Sequence, residues 1–284
     1  MAIRRLLGDL TGEAATLYNL GIIAHESGDY MQAEALYIEA LKIQKSVHNQ
    51  WEEVNLVNAL GVLDYQTGDF ENAERKLLEA LELSKQISDP AGEAAGLCNL
   101  GQVLRDAGRL QEAETALKAG LKLAKAAKDP FLSAMIRSHL AIVYLHEKRF
   151  EQTVLNARSA LAVRRQLGTE ALTTIDQTTL ALARKEMNMS RAALIHARKA
   201  FKLLVKYQDI GPEFPERDYL ICANIFIYYG KHVEGEAALQ HACQLIRERA
   251  DKILDFRKKH SYLRNVPWNW EIVQRKPESF HMIW

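Results

Sequence analysis

The sequence of 284 residues is poor in cysteine and has no long apolar run. Cys98, Cys222 and Cys243 are scattered and form no CxxC pair, which argues against a disulfide framework and a cysteine metal site. No apolar run reaches the roughly 18 residues that a membrane helix needs. No apolar segment follows Arg4 and Arg5, so a secretory signal is not expected. These absences predict a cytoplasmic protein that does not enter a membrane.

Motifs of catalysis are also missing. The sequence contains no GxxxxGK[ST], GxGxxG, HExxH or GxSxG pattern. His139 and His146 lie seven residues apart, which on a helix is about 10 Å along the axis and too far to share one metal ion. We therefore predict no catalytic residues, no metal site, no cofactor and no enzymatic activity.

Basic clusters occur at "RKAFKLLVK", residues 198–206, and at "RKK", residues 257–259. In the first cluster Phe201, Leu203 and Leu204 have the spacing of a helical core face, which leaves the lysines on a solvated face. No helix-turn-helix signature accompanies either cluster. The sequence therefore predicts no nucleic-acid partner.

Charge is distributed unevenly along the chain. Residues 1–90 contain 7 basic and 15 acidic residues, a net charge of −8, whereas residues 181–284 contain 18 and 12, a net charge of +6. One interpretation is steering of a partner or contact between the two ends. The other, which we favour at this stage, is ordinary variation on solvated faces.

A repeat of 40 residues dominates the sequence. The triplet "NLG" at residues 19–21 returns as "ALG" at 59–61 and again as "NLG" at 99–101. The stretch "SGDY" at residues 27–30 returns as "TGDF" at 67–70. Six copies are predicted, the last after a shift of two residues, and they start near residues 14, 54, 94, 134, 174 and 216.

Each copy is predicted to be a hairpin of two helices. In the first copy Leu17, Leu20 and Ile23 follow the spacing of one helix face, and Gly28 suits the left-handed residue that closes a helix. A second amphipathic helix follows Gly28. One hairpin cannot bury its apolar face alone, so several must stack.

The conserved spacing of small and apolar residues within the copies resembles the tetratricopeptide repeat, in the long form found in kinesin light chains and bacterial MalT-like regulators. That resemblance covers about residues 10–258. It implies an all-α fold, a right-handed α-solenoid of about six antiparallel hairpins over residues 1–258. Lys148 and Asn188 replace the turn glycine in copies four and five, so we expect a less regular superhelix there. The residues that carry the resemblance in copy one are Leu17, Leu20, Gly21, Ala24, Gly28, Tyr30, Ala33, Tyr37 and Ala40.

Residues 259–284 leave the repeat pattern, and the stretch "HSYLRNVPWNWEIV", residues 260–273, resembles the closing segment of those bacterial arrays. Trp268, Trp270 and Trp284 make it rich in aromatic side chains. We interpret it as a cap on the last hairpin; the alternative is a docking tail for another domain. "GPEFPER", residues 211–217, is expected to loosen the junction between copies five and six.

The first eight residues fit the last two turns of a second helix. Two explanations stay open. The gene starts here with a short helical stub, or the chain is the C-terminal part of a longer regulator.

The resemblance also implies a site, because the first helix of each hairpin lines the concave groove in this family. Tyr65 and Arg105 are the expected anchors. The residues carried over to the groove are Tyr18, His25, Asn55, Asn58, Tyr65, Gln66, Gln102, Arg105, Asp106, His146, Lys185 and Asn224.

The leading hypothesis is a non-catalytic interaction module of a bacterial signalling or regulatory system. It would bind a peptide or a partner domain in the groove. Two alternatives are a ligand-sensing domain of a larger regulator and a scaffold that associates with itself.

Overall fold

The computed structural model describes residue 4 and residues 8–280 of the chain. The prediction for the first eight residues and the one for Trp284 therefore lie almost wholly outside the described residues. Within them the chain forms helices and no strand. The helices of the first three hairpins are α1 (Leu10–Glu26), α2 (Tyr30–Ser46), α3 (Gln50–Gln66), α4 (Phe70–Gln86), α5 (Pro90–Asp106) and α6 (Leu110–Ala126). Those that follow are α7 (Pro130–His146), α8 (Phe150–Gln166), α9 (Thr174–Glu186), α10 (Ser190–Lys206), α11 (Pro215–Tyr228), α12 (His232–Lys252), α13 (Phe256–Arg264) and α14 (Pro267–Arg275).

Short turns of three residues separate the helices through most of the chain. Asp29 and Asp69 begin helices by accepting a hydrogen bond from a backbone N–H of the first turn. Lys148 (φ 59°) and Asn188 (φ 58°) adopt the left-handed conformation that Gly28 (φ 74°) has in copy one. The turns thus keep their geometry without glycine. The irregularity lies instead at the start of copy five, where a 3₁₀ turn, Glu170–Thr173, precedes a helix of 13 residues.

Small residues allow the two helices of a hairpin to approach closely. A Cβ atom at Gly21 would lie 2.4 Å from the Tyr37 ring, and one at Gly101 would lie 2.5 Å from Leu117. Both distances are too short for any side chain. The second helix of each hairpin then packs on the first helix of the next. The predicted all-α solenoid of six hairpins, α1–α2 to α11–α12, is confirmed.

The chain returns to its own beginning after the sixth hairpin. We call residues 249–265 the C-terminal latch. Lys252 Nζ donates a hydrogen bond to the carbonyl oxygen of Ser27 (2.6 Å), and Lys258 forms an ion pair with Glu34. Asn265 Nδ2 donates to the carbonyl oxygen of Gly68 (3.2 Å). A basic segment near one end of the sequence therefore contacts the acidic first two hairpins.

Aromatic and buried charged groups reinforce this contact. The Tyr262 ring lies 5.8 Å from the Tyr30 ring, and both side chains are buried. Arg249 Nη1 donates to Glu216 Oε2 at 2.7 Å, and its guanidinium lies 5.9 Å from the centre of the Tyr30 ring. The boundary predicted between residues 258 and 259 lies inside α13. The last described helix, α14, packs on α11 and α12.

The segment that joins hairpins five and six is not loose, contrary to expectation. Phe214 is buried, with its ring 5.4 Å from that of Tyr65 and 4.8 Å from that of Trp268. Aromatic contacts from α3 and α14 fix the segment across the concave side. Pro215 begins α11, and residues 207–214 connect it to the end of α10 at Lys206.

Over the residues that the structure describes, no helix combines the length and the apolar character that crossing a bilayer requires.

Candidate functional site

The inner helices of the solenoid are joined by polar contacts between residues about one repeat apart. His25 Nε2 and Gln66 Oε1 are 2.5 Å apart, and Asn99 Nδ2 donates to Asn58 Oδ1 at 3.1 Å. Further along, Ser138 Oγ donates to Asp176 Oδ1 (2.6 Å) and Thr178 Oγ1 to Asp218 Oδ1 (3.2 Å). Several polar residues predicted to bind a partner therefore connect one hairpin to the next.

The two expected anchors belong to a buried network. Tyr65 OH donates to Asp106 Oδ2 (2.5 Å), and Arg105 donates from Nε to Asp106 Oδ1 (2.6 Å) and from Nη2 to Tyr65 OH (3.1 Å). Tyr65 and Arg105 are each only 3% exposed. A partner in the groove therefore reaches these two side chains only at their edges.

Electrostatics hold this network in one charge state. Burial alone would raise the pKa of Asp106, but the Arg105 guanidinium and the hydrogen bonds it receives lower that pKa below its ordinary value. Burial raises the pKa of Tyr65 well above its ordinary value. The pair stays ionised and the phenol stays neutral near neutral pH.

The chain itself fills part of the concave surface. Phe214 covers the Tyr65 ring, and residues 209–213 face His25 and Gln66 across a cavity of about 270 Å³. Burial raises the pKa of Glu213, an effect that Arg217 and Arg105 oppose. A long extended peptide cannot run through this half of the groove without displacing the segment.

A second and larger opening remains between hairpins three to six, with a volume of about 350 Å³. We call it the concave cavity. Its apolar walls are formed by Leu110, Ile142, Leu145, Ile175, Leu182, Ile221, Pro267 and Trp268. Its polar lining is formed by Arg105, Asp106, His146, Thr178, Thr179 and Arg217, with Gly108 beside them.

Two buried donors beside this cavity lack a partner. Within the described part of the chain, neither Nη1 of Arg105 nor Nε1 of Trp268 has a hydrogen-bond acceptor. Buried donors are normally satisfied, so an orphan calls for an acceptor from elsewhere. Arg217 stacks its guanidinium 5.5 Å from the Trp268 ring centre and lies 3.6 Å from Asp218. The cavity thus combines apolar walls with donors.

The predicted groove residues separate into two groups. Arg105, Asp106 and His146 line the concave cavity together. The remainder lie elsewhere. Tyr18 stacks 5.8 Å from Tyr37 and Asn55 is exposed, while Tyr65, Gln66 and Gln102 are buried. Lys185 Nζ lies 4.8 Å from the Tyr228 ring centre, and Asn224 donates to Glu271 at 3.3 Å.

Sequence reasoning missed Trp268 and Arg217 as cavity residues. Trp268 lies in the segment that was interpreted as a cap, and Arg217 lies beside a Pro/Gly-rich break. Trp268 lies outside the six copies, whereas Arg217 lies at the start of copy six but at none of the positions that the resemblance carried over to the groove. Over the described residues, no group of three or more His, Cys, Asp or Glu side chains could hold a metal ion.

Comparison with family models finds the tetratricopeptide repeat in the first part of the chain. Residues 14–50 and 51–126 match two family models, each described as tetratricopeptide repeat. A search of curated proteins found no match.

Solved structures with the same fold cover almost the whole chain. Apo RapI is 15% identical with a TM-score of 0.65, and the match covers 94% of this chain and 99% of that one. A Rap protein complexed with competence and sporulation factor is 13% identical with a TM-score of 0.66, covering 94% and 76%. The signal transduction ATPase with numerous domains that carries a tetratricopeptide repeat sensor, from Pyrococcus horikoshii, is 17% identical with a TM-score of 0.59, covering 96% and 45%. At these identities the likeness concerns the fold alone.

Proposed function

We propose that the chain is a non-catalytic interaction module of the tetratricopeptide repeat type, which residues 14–126 match, and that it binds a short segment of a partner protein in the concave cavity. The observation that carries this proposal is the opening of about 350 Å³ on the inner side of hairpins three to six. Its size falls in the range of about 300–1,000 Å³ that is usual for binding pockets.

The lining suits a peptide segment with an apolar side chain. Ile142, Leu182 and Trp268 would bury the apolar group. Nη1 of Arg105 and Nε1 of Trp268 would each donate a hydrogen bond to a carbonyl or carboxylate oxygen of the ligand. The segment across the other half of the groove limits the ligand to a short length, which favours a peptide over the partner domain that the sequence analysis also allowed.

A ligand-sensing role is the second candidate. The cavity would also hold a small molecule of matching chemistry. Two proteins of the same fold support this alternative, since one is complexed with competence and sporulation factor and another carries a tetratricopeptide repeat sensor. A bacterial regulatory role and a cytoplasmic location are part of the same proposal. Self-association is a further alternative.

The test is a cavity-filling variant. Random peptides displayed on phage are selected on the wild-type protein, and the affinity of enriched peptides is measured by calorimetry. Leu182→Trp places a large ring in the cavity and should weaken binding by more than about tenfold. Leu155→Trp is the matched control, because Leu155 is exposed on the outer helix α8 and far from the lining.

Thermal melting in the presence of a metabolite library separates the two candidates. A small molecule that stabilises the wild type but not Leu182→Trp, with no enriched peptide, favours the sensor. Enriched peptides whose affinity is the same for wild type and Leu182→Trp would contradict the cavity as the site.

A further inference from the structure

The outer surface of hairpins four and five has an excess of positive charge. Helices α8 and α10 together contain eight basic residues and one acidic residue, Glu151. The outer helices of the first two hairpins, α2 and α4, together contain five basic and six acidic residues. Negative charge is therefore attracted to the outer surface of hairpins four and five but not to the equivalent surface of the first two hairpins.

Part of this positive charge is compensated within the chain. Glu170 is bound by Lys206 and by the Tyr207 hydroxyl, and it also lies near Arg165. The ion pairs that involve α8 and α10 are Arg164 with Asp176, Arg198 with Glu234 and Lys206 with Glu170. The other five basic residues of the two helices are exposed and form no ion pair within the described part of the chain; they are Arg158, Arg165, Arg191, Lys199 and Lys202.

The repeat register explains why the charge of Arg158 is not compensated. Lys118 on α6 occupies the equivalent position one repeat earlier. Its Nζ lies 2.7 Å from a carboxylate oxygen of Glu114, four residues before it on the same helix. Val154 replaces that glutamate on α8. Arg158 thus keeps the cation of the repeat and lacks its partner.

The cations surround a furrow between the two outer helices. Both α8 and α10 pack on α9, which separates them. His196 on α10 reaches Gln177 on α9, with Nδ1 and Oε1 2.7 Å apart. Burial and then four neighbouring positive charges lower the pKa of His196 to about 4. These charges belong to Lys199, Arg184, Arg158 and Arg165. Cations of three helices therefore converge on one place, which we call the outer furrow.

Two exposed apolar side chains accompany these cations. Leu155 on α8 is 67% exposed and Ile195 on α10 is 42% exposed. They occupy the same position of the repeat, at which the first three hairpins have Ala35, Arg75 and Thr115. Neither these two side chains nor the cations of the outer furrow line the concave cavity. The outer furrow is therefore separate from the site of the proposed function.

We propose that the outer furrow binds an acidic segment of a partner protein, and that this segment also carries apolar side chains. Its carboxylates would pair with Arg158, Arg165 and Lys199. Arginine pairs with carboxylates through two parallel hydrogen bonds, which makes the contact directional as well as strong. The apolar side chains of the segment would cover Leu155 and Ile195.

Other anionic partners match the outer furrow less well. Proteins that bind single-stranded nucleic acid combine a basic groove with aromatic side chains on which bases stack, whereas Leu155 and Ile195 are aliphatic. A bilayer surface is bound by the large apolar face of an interfacial helix. Here the cations come from three helices and converge on His196, so they match a segment that lies between the helices.

A titration with an acidic amphipathic peptide tests the proposal. A fluorescent peptide that repeats Glu-Glu-Leu-Leu should bind the full chain saturably, as measured by anisotropy. Arg158→Glu with Lys199→Glu should weaken this binding by more than about tenfold, because attraction is replaced by repulsion. Arg75→Glu with Lys85→Glu is the matched control, since it changes the net charge equally at exposed positions of α4. This control should leave the affinity unchanged.

Further controls separate the apolar contribution and the two sites. Leu155→Ser with Ile195→Ser should weaken binding several-fold, and so should a peptide that repeats Glu-Glu-Ala-Ala, because each removes one side of the apolar contact. A peptide that repeats Lys-Lys-Leu-Leu should not bind. Leu182→Trp, which fills the concave cavity, should leave the affinity for the acidic peptide unchanged.

Three results would overturn the proposal. The first is the absence of saturable binding of the acidic peptide to the wild type. The second is equal affinity for the variant with Arg158→Glu and Lys199→Glu and for the matched control variant. The third is tighter binding of oligothymidylate or of phosphatidylserine vesicles than of the acidic peptide, which would assign the outer furrow to nucleic acid or to a membrane surface.

Discussion

The first and last hairpins of the solenoid differ in how far their terminal apolar helix faces are buried. A stack of hairpins has an apolar helix face at each end. At the C-terminal end α14 lies on α11 and α12 and buries Trp268, Ile272 and Val273. At the N-terminal end Leu20 and Ile23 stay exposed. Among the described residues, the apolar face of the last hairpin is thus buried by a segment outside the repeat, whereas Leu20 and Ile23 of the first hairpin are exposed.

The contact of the C-terminal part of the chain with the first hairpins also shapes the groove in which a ligand would bind. The C-terminal latch reaches hairpins one and two, while Phe214 and Trp268 meet over the concave surface. The free volume of the groove is thereby divided between the concave cavity and the smaller cavity beside residues 209–213. Substitutions at the two ends and in the interior should therefore differ in their effect on stability.

Removing the main aromatic contact of the covered end should have the largest effect. Trp268→Ala deletes a buried ring that packs 4.8 Å from Phe214 and should lower the free energy of unfolding by about 3–5 kcal/mol. Urea unfolding measures this. Trp51→Ala is the control, because Trp51 is exposed and its loss should cost less than about 0.5 kcal/mol. An equal loss of unfolding free energy for Trp268→Ala and Trp51→Ala would contradict the burial of the last hairpin by Trp268.

The same substitution at equivalent leucines should give unequal results. Leu60→Ala removes a buried side chain and should cost about 2–5 kcal/mol. Leu20→Ala removes an exposed one and should change the free energy of unfolding by less than about 0.5 kcal/mol. Denaturant unfolding of both variants checks the contrast. A loss for Leu20→Ala as large as that for Leu60→Ala would contradict the difference in burial between these two leucines.

Acid should weaken the interior of the later hairpins. Burial, followed by the positive charges of Arg105, Arg217 and Arg164, holds the pKa of His139 well below its ordinary value. The unfolded chain binds a proton near pH 6.5 while the folded chain resists it, so stability is lost as pH falls below about 6.5. His139→Asn should make the free energy of unfolding fall less between about pH 7 and pH 5. Parallel pH profiles for wild type and variant would contradict this assignment.

The smallest effect is expected from the latch ion pair. Lys258 and Glu34 are partly exposed, so Lys258→Ala should cost about 0.2–1 kcal/mol, and less at high salt. Lys206→Ala, which removes the exposed pair with Glu170, is a control that does not involve the latch. A salt-independent loss for Lys258→Ala would show that packing rather than charge holds the latch.

Local regularity explains why much of the fold was predictable. The 40-residue period predicts the hairpins because helix periodicity and turn residues depend on residues that are close together in the sequence. Even so, the left-handed conformation of Lys148 was not expected, since packing of the two helices overrides the preference for glycine there. The contact between Lys258 and Glu34 joins residues 224 apart and has no periodic signature.

The site was predictable only in part, because contacts between residues that are distant in the sequence have no periodic signature. The repeat predicts Arg105, Asp106 and His146 on the groove side of the first helices, and in the structure these three residues line one cavity. Periodicity does not reveal that Arg105 is buried by Tyr65 and Asp106. That burial follows from the contact of successive inner helices and from the aromatic ring of Phe214, which belongs to no repeat.

Zero-length carbodiimide coupling followed by peptide mass spectrometry tests the closure of the chain most directly. In monomeric protein the account predicts an isopeptide bond between Lys258 and Glu34, two residues 224 apart whose side chains form an ion pair. The neighbouring pair Lys276 and Glu236, with Nζ and Oε1 2.5 Å apart, is the positive control. Coupling of Lys276 to Glu236 without any coupling of Lys258 to Glu34 would contradict the account.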